Sequence, residues 1–204
     1  MNTEVNTQWE EKNKNITRAT LSQRPEVNLE ITKTKALQEI KRRTPWIFLS
    51  VLAGIAMIWI SQSYEQMFLK KMELVFFIPM IVYISDSIGT ETLALFIREL
   101  ALKRVSIKKL ALKEILVGLS LGIMSGIPMG LFSYFRFHDL KLSTAVSTAM
   151  IINGVIAVFL GIAIPFIFFK LKKDPALGTD EITTIISDNL SLLVYLITST
   201  IIIF

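Results

Sequence analysis

Four acidic residues, Asp86, Glu91, Glu114 and Asp188, fall within or beside stretches of sequence that are otherwise apolar. Carboxylates are hard oxygen ligands, and with hydroxyls and carbonyls around them they suit Mg2+, Ca2+ or Mn2+ better than copper or zinc. Asp188 has the most ordered surroundings. Asp180, Thr184, Asp188, Ser191 and Tyr195 follow at steps of four, four, three and four, which places them on one face of a helix. Ile182, Ile185, Ile186, Leu190, Leu193, Val194 and Ile197 form the other face. An interhelical seam would explain the hydroxyls, but hydroxyls alone would make that seam at lower cost than an aspartate does. Mg2+ gives up its water reluctantly, so a permeation site needs only one or two carboxylates, with carbonyls and hydroxyls, touching a hydrated ion. A stripe with Asp188 at its centre meets that requirement.

The second polar concentration is Ser85-Asp86-Ser87-Ile88-Gly89-Thr90-Glu91-Thr92. Pro79 upstream removes a helix hydrogen bond and Gly89 lowers helix propensity within the patch, which predicts a bent or interrupted helix. Asp86 and Glu91 are five residues apart, hence about 140° apart on an ideal helix, and both face one ion only if the helix is distorted. Other chemistry is scarce. The chain has no cysteine, which excludes disulfides, zinc-thiolate sites and thiol nucleophiles. Its one histidine, His138, lies in the polar loop Arg136-Phe137-His138-Asp139 and reads as a solvated residue. Gly118, Gly122, Gly126 and Gly130 form a small-residue ridge at spacing four, a surface for close helix packing.

The elements that must carry these residues are membrane spans. Charged residues make up 19% of the chain and hydrophobic residues 52%, fewer charges than the ~25% usual in a soluble domain. The charges are also uneven, since residues 1–43 hold 9 of the 22 Lys and Arg and 6 of the 17 Asp and Glu. That segment has no apolar run of signal-peptide kind and reads as a short cytoplasmic arm of mature sequence. From residue 44 onward the apolar runs suffice to cross a hydrocarbon core, which takes about 20 helical residues. Five are expected, at about 46–63, 72–102, 110–135, 143–169 and 181–204, the first entered through Thr44-Pro45 as a helix start. The junctions on the arm's side carry Lys41, Arg42, Arg43, Lys103, Arg104, Lys108, Lys109, Lys113, Lys170, Lys172 and Lys173, against Lys70, Lys71, Arg136 and Lys141 opposite. The expected fold is therefore an all-α integral membrane protein of five transmembrane helices, with a cytoplasmic N-terminus and the C-terminus outside. Its domains are the arm, 1–43, and a transmembrane domain, 44–204, in the plasma membrane. The net charge of +5 then reports topology and contact with anionic lipid rather than nucleic-acid binding.

Five helices are few to enclose a pathway alone, so a homodimer is expected. The chain resembles the membrane domain of the MgtE magnesium transporter family over about residues 43–204. The resemblance rests on Arg43-Thr44-Pro45-Trp46, on Phe77-Ile78-Pro79 leading to Gly89-Thr90-Glu91-Thr92-Leu93-Ala94-Leu95, and on Lys113-Glu114 with Gly118. It is strongest at Lys173-Asp174-Pro175-Ala176, followed by Thr183-Thr184, Asp188 and Leu192-Leu193-Tyr195. It implies a homodimer with a cation pathway at the interface, lined by the second and fifth spans. It also implies that Asp188 contacts hydrated Mg2+, that Thr184 supplies a carbonyl one turn earlier, and that Asp174 stands at the cytoplasmic mouth.

Two departures from the family pattern qualify what is implied. Where the family usually has Gly-Gly-Asn-x-Gly-x-Gln in the second span, this chain has residues 85–91 with two added acids, Asp86 and Glu91. The family's large cytoplasmic N-terminal and CBS domains also have no counterpart in this sequence, so no CBS gate is expected. The leading expectation is a non-enzymatic divalent-cation transporter or channel in the lipid bilayer, carrying Mg2+, with Mn2+, Co2+ or Ca2+ as other cargoes. Its metal contacts are Asp188, Glu91, Asp86, Thr184 and Asp174. The alternative is an exchanger or exporter coupled to Na+ or H+ through Asp86 and Glu91. An intramembrane aspartyl protease using Asp86 and Asp188 has the two carboxylates such chemistry needs but no supporting active-site loop, and a purely structural subunit predicts no response to metal.

Overall fold

The computed structural model describes residues 33–102, 107–172 and 178–204. The chain divides into two units, Met1–Thr44 and Pro45–Phe204. Among the described residues the elements are α1 (Lys33–Ser63), the short α2 (Glu65–Lys70), α3 (Glu73–Leu102), α4 (Ile107–Phe137), α5 (Leu140–Lys170) and α6 (Thr179–Ile203). All but α2 are long and apolar enough to cross a membrane. The protein is thus all-helical, with five candidate spans.

The helix ends follow local chemistry. Pro45, expected to open the first span, lies inside α1. Proline has no N–H for the carbonyl of Lys41, an interior position that membrane helices tolerate, and one residue earlier the Thr44 hydroxyl donates to the carbonyl of Ile40 at 2.8 Å. α3 is likewise unbroken through Pro79 and Gly89, so the interruption expected there does not occur. The turn from α4 to α5 is made by His138 in the left-handed region, at φ 54°. Asp139 then caps α5 by accepting from the Leu142 N–H at 3.0 Å and pairs with Lys71, which closes α2 just before α3.

α5 is the axis of the bundle and packs against α3, α4 and α6. The glycine ridge of α4 brings that helix to α5 at backbone distance. A Cβ at Gly118 would stand 2.7 Å from the Gly154 carbonyl oxygen. Hydroxyls from α5 use the space: Ser143 donates to the carbonyl of Gly130 at 2.6 Å and Ser147 to that of Gly126 at 2.9 Å. Apolar side chains form two clusters. One joins Leu74, Phe77 and Ile81 of α3 to Val146 and Met150 of α5 and to Leu192, Tyr195 and Leu196 of α6. The other joins Ile88 and Phe96 of α3 to Ala157, Val158 and Ile162 of α5. Asp86 lies on α3 between the residues of the two clusters, so the core fixes that helix on either side of it, and the first cluster also anchors α6.

Candidate cation site

α3 separates its residues sharply. Ser85, Ile88, Gly89, Thr92 and Leu93 are buried, whereas Tyr83, Ser87, Thr90, Glu91 and Ala94 are exposed and Asp86 is half-buried between the two sets. Tyr83, Asp86, Ser87, Thr90, Glu91 and Ala94 line one open groove of about 430 Å³. Asp86 and Glu91 therefore both line one groove on a helix that is continuous from Glu73 to Leu102.

α6 supplies the rest of the site. Thr184 donates from its hydroxyl to Oδ1 of Asp86 at 2.9 Å, so the second and fifth spans are joined directly at the acidic level. Asp86 also interacts electrostatically with Asp188 and with Asp180. Asp188 is half-buried, and its Oδ1 is enclosed without a hydrogen-bond partner. Of the residues expected from the sequence, the structure brings Asp86, Thr184 and Asp188 together, with Glu91 on the far rim of the α3 groove. Asp174 lies outside the described residues. Glu114 is apart from this group: it is buried in α4 and pairs with Lys113 at 3.3 Å.

The expected polar stripe of α6 needs correction at its upper end. Ser191 and Tyr195 belong to a different row, Thr179, Thr183, Ser187, Ser191 and Tyr195, which is buried throughout. The Tyr195 hydroxyl donates to the Leu74 carbonyl at 2.9 Å, and Ser191 donates to the Asp188 carbonyl at 3.0 Å. These residues are the interhelical seam, and only Asp180, Thr184 and Asp188 remain on the accessible row. The reason is geometric: a step of four advances a helix by 400°, so a row that starts one residue earlier is displaced by about 100° and turns inward. Ser85, Asn153 and Ser187 were not among the expected site residues. All three are buried with an oxygen that has no partner, and the spacing of four from Thr183 to Ser187 to Ser191 was the signal available for one of them.

Among the described residues no three Asp, Glu or His side chains converge closely enough to hold a metal ion directly. Separated carboxylates flanked by hydroxyls can instead contact the water shell of a divalent cation, because Mg2+ keeps several of its waters when it binds.

The family model for MgtE, a divalent cation transporter, matches residues 78–198. The chain is 29% identical over 165 residues to the magnesium transporter MgtE of Bacillus subtilis, a match covering 79% of this chain and 37% of that protein. It is 28% identical to the Enterococcus faecalis and Thermus thermophilus magnesium transporters MgtE, over 172 and 157 residues, which cover 38% and 35% of those proteins. The chain thus spans less than two-fifths of the length of these relatives.

Proposed function

The chain belongs to the MgtE family of divalent cation transporters, and from that membership we propose that it carries Mg2+ across the plasma membrane as a homodimer, along a pathway lined by α3 and α6. The observation that carries this reading is the acidic, hydroxyl-rich and open face of α3, joined to α6 by the Thr184–Asp86 bond within helices otherwise suited to lipid. Asp188 is the central contact for the hydrated ion, Asp86 and Glu91 raise the local cation concentration, and Thr184 holds Asp86 in place. By motif, Asp174 stands at the cytoplasmic mouth. The excess of Lys and Arg on the junctions flanking α1, α3–α4 and α5–α6 supports a cytoplasmic N-terminus.

A divalent ion about 4.5 Å from one carboxylate charge gains ~2 kcal/mol even at the dielectric of water, worth more than tenfold in occupancy. Asp188→Asn and Asp188→Ala should therefore each reduce Mg2+ flux into proteoliposomes at least about tenfold, with both variants still eluting as wild type does on size exclusion. Full flux in the Asn variant would overturn the role given to the charge. Cross-linking of purified protein in nanodiscs checks the dimer, and exclusively monomeric protein with intact flux would overturn the interface pathway.

A further inference from the structure

One turn from the acidic groove, toward the start of α3, the bundle has a second opening. α3 and α4 both pack on α5 and touch each other only sparsely, and a cleft of about 510 Å³ remains between them, within the ~300–1,000 Å³ of ligand pockets. Phe76, Phe77 and Met80 of α3 form one wall, and Met129, Phe132 and Phe137 of α4 form the other. A single charged residue completes the lining, Arg136. It lies in the last turn of α4, where the candidate span ends at Phe137. Met129 is seven residues deeper, about 10 Å along the helix. The cleft thus places a cation where the span meets the loop and apolar side chains below it.

That cation is held in position but has no counter-charge. The guanidinium carbon of Arg136 stands 5.3 Å from the Phe137 ring centroid, a cation–π distance. Phe137 is itself held by α3, stacked on Phe76 with centroids 6.3 Å apart and edge-on to Phe77 at 5.9 Å. The ion pairs among the described residues are Arg43–Glu39, Lys71–Asp139, Arg98–Glu99 and Lys113–Glu114, and none includes Arg136. Asp139, three residues on, is taken by Lys71 and the Leu142 N–H, and Glu73, a turn before Phe76, does not line the cleft. Acyl chains fill an apolar cleft open to the bilayer. Arg136 selects among them by headgroup, because a guanidinium fork meets a phosphate with two parallel hydrogen bonds. A second copy of the chain seated here by two-fold symmetry would bury Arg136 in an apolar interface, and the same cleft on that copy offers no carboxylate to pair with it. Charge complementarity therefore favours an anionic lipid over a second copy.

We propose that the cleft between α3 and α4 binds one phospholipid with an anionic headgroup, of the phosphatidylglycerol class, with its phosphate on Arg136 and an acyl chain along Phe76, Met80, Met129 and Phe132. Phe77 connects the lipid to the fold, since it also belongs to the apolar cluster of Leu74, Tyr195 and Leu196. The bound lipid therefore stabilises the first turns of α3. This site requires only that the helices span a membrane and does not depend on the ion pathway.

The test is native mass spectrometry of the full chain released from nanodiscs of phosphatidylcholine with or without phosphatidylglycerol, with Tm measured in the same discs. Wild type should retain phosphatidylglycerol in preference to phosphatidylcholine and gain about 2–4 °C in the mixed discs. Arg136→Gln should lower the occupancy of one phosphatidylglycerol per chain at least about fivefold and lose most of the Tm gain. Met129→Trp, which fills the cleft, should lose the same lipid with Arg136 intact, and Glu73→Gln should keep it. Arg136 is exposed, so its variant decides the matter even where Met129→Trp fails to fold. Equal retention of the two lipids by wild type overturns the site. So does phosphatidylglycerol retained in full by Arg136→Gln, which would assign that lipid to basic residues elsewhere. Variants that leave lipid retention unchanged but abolish cross-linked dimers would give the cleft to a second copy and overturn the proposal as well.

Discussion

Replacing Gly161 by alanine tests the contact that holds the acidic face in position. A Cβ at Gly161 of α5 would stand 2.7 Å from the carbonyl oxygen of Gly89, 3.0 Å from Cβ of Thr92 and 3.2 Å from the backbone nitrogen of Leu93. These atoms belong to the α3 backbone or are fixed to it, so no rotamer change can relieve the clash. The helices must separate by about 0.7 Å to restore ordinary van der Waals contact. Overpacking of this kind costs about 1–3 kcal/mol. Each kcal/mol is worth roughly 2–4 °C in a domain of this size, so Tm should fall by about 2–12 °C. The displacement acts on Gly89, midway between Asp86 and Glu91, and Mg2+ flux should fall with it. Gly54→Ala is the internal control: nothing lies within 4 Å of a Cβ there, and alanine is the better helix former, so Tm should stay or rise. Differential scanning fluorimetry in nanodiscs reads both variants. A Gly161→Ala protein with wild-type Tm would refute the argument that α3 and α5 meet backbone to backbone behind the site.

Two further outcomes are expected. Burial pushes the Asp139 carboxyl up, but the Lys71 ammonium and the Leu142 N–H more than offset it, and the pKa lies below the ordinary 3.8. A lowered folded-state pKa contributes stability above the unfolded value that disappears as pH falls through the folded one. The Tm gap between wild type and Asp139→Asn should therefore be constant near neutrality and close below about pH 4, and a gap unchanged at lower pH would remove the ion pair from the account. Tyr195→Phe deletes the buried hydrogen bond to the Leu74 carbonyl. It should cost about 1 kcal/mol, or roughly 2–4 °C in Tm, with Mg2+ flux retained. Lost flux at unchanged Tm would return Tyr195 to the pathway.

The spans were legible because apolar runs longer than about 20 residues stand out against so few charges. The first begins well before its expected start, since Thr44-Pro45 signals a helix start in water and is equally compatible with a proline carried inside a membrane helix. The glycine ridge was legible as a packing surface from spacing alone, although its partner, Gly154 and the serines of α5, was not. At the site, sequence identified Asp86, Thr184 and Asp188 as polar residues in apolar helices. It did not show which of two polar rows on α6 faces inward, because the rows are one residue apart and similarly polar. The choice is made by what α5 and α3 present: the Asn153 amide donates to the Ser191 carbonyl, and Gly89 leaves space beside Ser187. Such a decision depends on contacts between helices and leaves no trace in the periodicity of one.

The exposed surfaces of the bundle differ in what can cover them, and this difference supports the interface proposed above. α1 exposes Ile47, Phe48, Ile58 and Trp59, and α4 exposes Met124, Ile127, Phe132 and Phe135, surfaces that acyl chains solvate without cost. α3 exposes Ser87, Thr90 and Glu91 at mid-span, and a carboxylate facing lipid at that depth costs several kcal/mol. One face of the five spans therefore requires water or protein, and it is the face joined to Asp188 through Asp86 and Thr184. A two-fold pairing across it covers both copies at once and doubles every acid in the groove. In the proposed dimer, the pairing that removes Glu91 from lipid would also supply the negative charge a divalent cation needs.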